Sequence, residues 1–214
     1  MDETPEYIEF RGGLGEDQRD ALQEIANIGM GQAGARLAAL LGTFVTLSVP
    51  RISLVEVTAL GEMLRNFADD SQRLTAVRQA FSSQVKGEAM ALYDSAGTAE
   101  LHHIVQNTEG GTVEAEQEDE VLFDVSNILI GACLSSIFEQ IGLTLSFSPP
   151  RLAGRHAPVA EIVDSANLRW NRTLLMEIEF SLEQGNFRAH LLMLMAADSV
   201  ETLKRALDQL LSGL

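Results

Sequence analysis

The feature that most constrains this chain is a duplication. Asp20, Glu24 and Asn27 are followed, after twenty-two intervening residues, by Pro50; one hundred residues on, Glu120, Asp124 and Asn127 are followed at the same interval by Pro150. At that offset the two segments also agree at Leu22/Leu122, Ile28/Ile128, Gly31/Gly131, Gly42/Gly142, Ser48/Ser148 and Arg51/Arg151. Core packing accounts easily for shared apolar positions. It accounts poorly for a shared acid and amide three residues apart, so the polar matches point to a site built twice.

Both copies read as the same order of elements. Residues 16–42 carry apolar or small side chains at Leu22, Ile25, Gly29, Ala33, Leu37 and Leu40, close to a helical period. Glu16 and Asp17 suit the positive end of that helix, and Gly42 its stop. Gly29, Gly31 and Gly34 inside it each cost up to about 1 kcal/mol relative to Ala. Together with Ala33, Ala35, Ala38 and Ala39 they make a thin surface, against which another element is expected to pack closely. A short strand over Val45–Val49 follows, with Pro50 at its end or on a sheet edge, because proline cannot donate to a ladder. The next stretch reads as irregular, with a short helix at 59–67 and a loop at Asp69–Ser71. Strands at 74–82 and 88–93 then turn around Lys86-Gly87, and a helix spans 96–107.

Residues 108–119 read as an acidic linker. The order then recurs: helix 120–141, strand 143–148, Pro149-Pro150, short helix 158–168, strands 173–183 and 187–195 around Gln184-Gly185-Asn186, and a last helix from 199 to 212 capped by Asp198, with Glu201 at its third position. Strands joined by tight turns pair antiparallel. The expected class is therefore α+β, as one domain over 1–214 made of two repeats, about 16–107 and 117–214. Their strands would join in one pseudo-symmetric antiparallel sheet flanked by helices.

Charge and composition narrow the function. A net charge of −16 argues against nucleic acid or an anionic membrane as partner, since both need clustered Lys and Arg. There is no unbroken run of eighteen apolar residues, and the N-terminus is acidic where a signal peptide would be basic. Cys133 is the only cysteine and reads as a small buried hydrophobe, which fits a cytoplasmic protein. His102, His103, His156 and His190 form no ligand set, and no phosphate-binding glycine loop is present.

That leaves the polar faces. Asp20, Glu24 and Asn27, at i, i+4 and i+7, share one side of their helix, as do Glu120, Asp124 and Asn127. A solvated helix face is the bland reading. Asparagine is a poor helix former, however, and its return in the second copy favours a functional face. An amide carries both donor and acceptor and can hold a water in one orientation. The acid three residues away could serve as a base or meet a cation on a partner.

The doubled pattern Asp/Ser-x3-Glu-x2-Asn-x22-Pro resembles the signature of the CheC / CheX / FliY chemotaxis phosphatases. The words Glu24-Ile25-Ala26-Asn27-Ile28-Gly29-Met30-Gly31 and Ser126-Asn127-Ile128-Leu129 are similar to CheC in particular. Length and site number also favour CheC: CheX-like chains are shorter with one motif, and FliY-like chains carry a further C-terminal domain. The resemblance implies a CheC-like pseudo-two-fold fold with two long equivalent site helices. It implies hydrolysis of the aspartyl-phosphate on a CheY-type response regulator, which supplies the acyl phosphate and the Mg²⁺; no cofactor of the chain's own is expected. By that analogy Asn27 and Asn127 orient the attacking water, Glu24 and Asp124 meet the regulator's lysine, and Asp20 and Glu120 contact the regulator. Pro50 and Pro150 shape the neighbouring strand. Asp124 departs from the family's Glu and is one methylene shorter, so the Glu24/Asn27 site is expected to be the stronger. The deamidase CheD is a further partner in the family. Two other readings remain: a catalytically weak adaptor for a regulator or CheD, and a structural piece of the flagellar switch.

Overall fold

The computed structural model describes residues 13–64, 73–101, 115–166, 172–183 and 187–213. The loop expected at Asp69–Ser71, the turn at Gln184–Asn186, the first part of the 108–119 linker, and His102 and His103 lie outside them.

Helix α1 (Glu16–Leu41) matches its expected span. The side-chain oxygen of Gln18 accepts the backbone N–H of Gly15 at 3.0 Å, satisfying one donor of the first turn. Gly42 ends the helix in the left-handed region, φ 66°, and its N–H returns to the carbonyl of Ala38. The second copy ends the same way, with Gly142 at φ 73°. These are the positions where a duplicated glycine is required by backbone geometry.

The second site helix starts earlier than the sequence indicates. It runs as α4 (Ala115–Asn127), one π-helical turn (Ile128–Ala132) and α5 (Cys133–Glu139). Part of the acidic stretch assigned to the linker is thus helical, where negative charge is favourable at the N-terminus. By length and composition the segment Asp119–Glu139 could cross a bilayer. Here its Leu122, Val125, Leu129, Ile130, Leu134, Ile137 and Phe138 are buried in the protein core.

The strands are β1 (Val45–Leu47), β2 (Arg51–Glu56), β3 (Leu74–Ser82), β4 (Lys86–Tyr93), β5 (Ser146–Phe147), β6 (Arg151–Ala157), β7 (Arg172–Leu182) and β8 (Arg188–Ala196). Strands β2 and β6 occupy stretches with no expected strand. They form one antiparallel sheet in the order β1-β7-β8-β4-β3-β5, with β2 also on β7 and β6 also on β3. The centre is β4 beside β8, Gly87 opposite Met195 and Tyr93 opposite Ala189. Each half lends its edge strands to the other half's hairpin: β1 and β2 pair with β7, and β5 and β6 with β3. Pro50 and Pro150 fall in the breaks between the paired edge strands, on the sheet edge, where no ladder donor is needed.

One face of the sheet packs against α1, α4, α5 and α7 (Ala197–Ser212) through Leu22, Leu37, Val77, Phe81, Phe138, Phe180, Leu191 and Leu203. The other face is covered in part by α2 (Val57–Leu64) and α6 (Val159–Ala166), through Leu60 and Ile162 over Met90, Leu175 and Leu192. A further helix, α3, begins at residue 95 and is described to 101; the carboxylate of Asp94 accepts the N–H of Gly97 at its start, 2.6 Å. Helix α7 begins two residues before its expected start. Its N-cap position is Ala196, so Asp198 sits in the first turn and is not the cap, while Glu201 pairs with Lys204 at 3.1 Å.

The close packing expected on α1 centres on Gly29. A Cβ there would stand 2.6 Å from Ile137 Cγ1 and 2.9 Å from the carbonyl oxygen of Cys133. Helices α1 and α5 therefore touch backbone to backbone. Gln140 reinforces the crossing by donating to the carbonyl of Ile25 at 3.1 Å. Cys133 is fully buried at this contact, and burial pushes its thiol up to about 12, which leaves it an unreactive packing residue.

Candidate functional site

Asp20, Glu24 and Asn27 are all exposed on one side of α1, opposite the buried Leu22, Ile25, Ala26 and Gly29. Glu120, Asp124 and Asn127 are likewise exposed, opposite Leu122, Val125 and Ser126. Each sequence triplet is thus gathered on a surface, and the two triplets form separate sites. Ile25 lies beside Gln140, and Gly29 beside Cys133 and Ile137, so the helices run antiparallel. Continuing that register sets Asn127 roughly 15 Å along the pair from Asn27.

The break after each short strand is tied back to the sheet in the same manner. The N–H of Ser48 donates to the Glu179 carbonyl at 3.0 Å, and the N–H of Glu179 donates to Ser48 Oγ at 2.9 Å. Ser148 repeats both bonds with Ala80, at 2.9 and 3.0 Å. The matching serines of the duplication therefore fix the strand end that leads to each proline. Pro50 is buried, and Gln23 on α1 reaches its carbonyl at 3.5 Å, which sets this strand end beside the first site. Ile28, 45% exposed, and Val49, 66% exposed, give that site an apolar border, whereas Ile128 is only half-exposed in the second.

The two amides differ in their partners. Asn27 makes no side-chain hydrogen bond among the described residues, and Glu24 no ion pair. Asn127 Oδ1 accepts from Gln79 Nε2 at 3.1 Å, and the same nitrogen donates to the Ser148 carbonyl at 3.0 Å. Gln79 is buried on β3. Sequence spacing gives no sign of it, because its partners lie 48 and 69 residues away. Near the start of α4, Asp119 pairs with Arg155 of β6, a tie with no equivalent on α1, where Arg19 stands.

Charge around the two sites also departs from the repeat. Arg51 stands opposite Glu177, whose carboxyl burial raises and Arg51 partly lowers. Arg151 instead stands opposite Arg78. Among the described residues, no three His, Cys, Asp or Glu side chains cluster as a metal would need.

Behind Asn127, Ser126 is fully buried. Its hydroxyl donates to the Leu122 carbonyl at 2.7 Å, so the 2.8 Å contact with Tyr93 is donated by the phenol. Burial holds the Tyr93 phenol well above its ordinary range. Ser126→Ala strands that buried O–H and is expected to cost about 1–3 kcal/mol, while Tyr93→Phe, which leaves Ser126 satisfied, costs about 1 kcal/mol or less. Equal losses in denaturant titrations of the two variants would contradict this assignment of donors.

Residues 18–54, from the first turn of α1 into β2, match the CheC-like family. The whole fold is shared with solved structures of low sequence identity. Thermotoga maritima FliY superposes with a TM-score of 0.67 at 19% identity, covering 92% of this chain and 98% of that one. The FliM middle domain of H. pylori gives 0.58 at 9%, covering 90% and 99%, and Vibrio vulnificus CheX gives 0.52 at 14%, covering 80% and 99%. The match over the first site helix and the strands after it, carried on a fold shared with these proteins, makes the chain similar to CheC-like proteins.

Proposed function

We propose that this chain is a phosphatase acting on the aspartyl-phosphate of a CheY-type response regulator. One observation carries the reading: an asparagine and an acid three residues before it stand exposed on a rigid helix, and the pair is built twice, with the amide of Asn27 free of side-chain partners among the described residues. Neither helix face presents a serine, cysteine or histidine, so it suits a reaction whose reactive group arrives on the partner. A water oxygen attacks phosphorus, the bond to the aspartyl oxygen breaks, and phosphate leaves with the carboxylate restored. The regulator's own pocket brings the Mg²⁺. Asn27 contributes by holding the water in line, Glu24 by meeting a lysine of the regulator, and Asp20 by contact one turn back. Catalysis of this kind is positioning. Asn127, Asp124 and Glu120 are the corresponding set of the second site. Ile28 and Val49 supply apolar contact for docking the regulator.

The test is loss of phosphate from a phosphorylated CheY-type regulator with Mg²⁺, with and without the protein. Faster loss supports the phosphatase. Binding without acceleration supports a second reading, an adaptor for a regulator or for CheD. The shorter acid at Asp124 and the engaged amide of Asn127 favour that reading for the second site.

A further inference from the structure

We infer that Gln79 is a positioning residue that holds the amide of the second site turned inward, and so makes the two sites unequal. The geometry leaves little freedom. The Ser148 carbonyl can only accept, so Gln79 must point its nitrogen that way. The second N–H of the same group then faces Asn127, which must answer with its oxygen. Asn127 is left presenting its Nδ2 donor outward. A water poised for attack needs the opposite: one of its hydrogens must be accepted, so that its lone pair faces phosphorus.

The first site has no such latch. The ladder sets Leu47 opposite Phe180 and Phe147 opposite Phe81, so the counterpart of Gln79 is Ile178, which is buried and apolar. Asn27 is free to turn its oxygen outward. At the second site the amide must break its bond to Gln79 before it can do the same. Gln79 also carries a buried Oε1 with no hydrogen-bond partner among the described residues. That is a cost to the fold, and it weighs against Gln79 being there for stability alone.

The kinetic consequence rests on the phosphatase reading; the hydrogen bond itself does not. In the full-length protein, Asn27→Ala isolates the second site. Adding Gln79→Ile, which copies the first site, is expected to raise kcat about fivefold with KM little changed, the population shift that one net hydrogen bond supports. Adding Asn127→Ala must abolish the gain. Gln79→Leu serves the same purpose if the isoleucine variant melts early. In parallel, hydrogen exchange of the Gln79 side-chain amide is read by nitrogen-15 NMR, and is expected to be slow in the wild type and faster in Asn127→Ala. An unchanged or reduced kcat in a folded Asn27→Ala/Gln79→Ile protein overturns the masking role. Equal exchange in wild type and Asn127→Ala overturns the latch. A wild type that never accelerates phosphate loss sinks the phosphatase reading instead, and the exchange measurement still decides the latch.

Discussion

On the proposed phosphatase reading, Asn27→Ala is expected to lower phosphate release from a phosphorylated regulator by about tenfold to a hundredfold, and the Asn27→Ala/Asn127→Ala protein to release it no faster than the regulator alone. The size follows from what the residue is asked to do. A water misplaced by about an ångström costs on the order of a hundredfold, and nothing else on this face of α1 can hold one. Gly31, one turn on, has no side chain, and Glu24 is committed to a cation on the partner in the proposed arrangement. Asn127→Ala is expected to remove no more than about a tenth of the rate, the share that Asn27→Ala leaves, for two independent reasons: Asp124 falls short of its target, and the Asn127 oxygen is held by Gln79. Asn27→Asp is the informative control. It keeps the shape but replaces two donors by negative charge facing a phosphoryl group, and so is expected to be as inactive as alanine. Asn27 is exposed and makes no side-chain hydrogen bond among the described residues, so the melting temperature of Asn27→Ala should barely move. An Asn127→Ala protein that loses more activity than Asn27→Ala would reverse the ranking of the sites.

The helices, the hairpins and the two polar faces were legible because each is written locally. A helical period, an αL glycine at Gly42 and Gly142, and the alternation around β1 are all local in the chain. Strands β2 and β6 were not legible. They lie outermost in the sheet, half-buried or exposed except for Ala157, so Arg51–Glu56 and Arg151–Ala157 carry no run of core residues. What makes them strands is a partner more than a hundred residues away for β2, and more than seventy for β6. The π-turn after Asn127 has no counterpart on α1, which keeps ordinary helical geometry through the matching Ile28–Gln32.

The unequal environment of the two asparagines was hidden by a slip in the repeat. The site helices and prolines stand one hundred residues apart, but the ladder equates Phe81 with Phe180, an offset of ninety-nine. At the helix offset Gln79 aligns with Glu179, two polar residues, and nothing looks amiss. Only the strand register shows that the true counterpart is Ile178. A duplication read from sequence thus picks out two exposed polar faces but overstates their symmetry.

Gly29→Ala is expected to destabilise the fold by about 2 kcal/mol, against the usual sign for a glycine inside a helix. Helix propensity alone would gain up to about 1 kcal/mol from the change. The new methyl, however, would lie 2.6 Å from Ile137 Cγ1 and 2.9 Å from the Cys133 carbonyl oxygen. Ile137 is fully buried and cannot swing away, and the carbonyl belongs to the backbone of α5. The two helices must separate, at the cost typical of an overpacked core, about 1–3 kcal/mol beyond the propensity gain. For a chain of this size a net 2 kcal/mol lowers the melting temperature by about 4–8 °C. Gly31→Ala is the matched control on the same helix. Nothing lies within 4 Å of its added Cβ, so it should stabilise by up to about 1 kcal/mol. The crossing at Gly29 also sets where Asn27 and Asn127 stand relative to the strand ends tied by Ser48 and Ser148. Prying it open should therefore slow phosphate release at both sites, even at temperatures where Gly29→Ala remains folded. A Gly29→Ala protein that melts at or above the wild type would show that α1 and α5 are not in backbone contact, and that each site helix stands independently of the other.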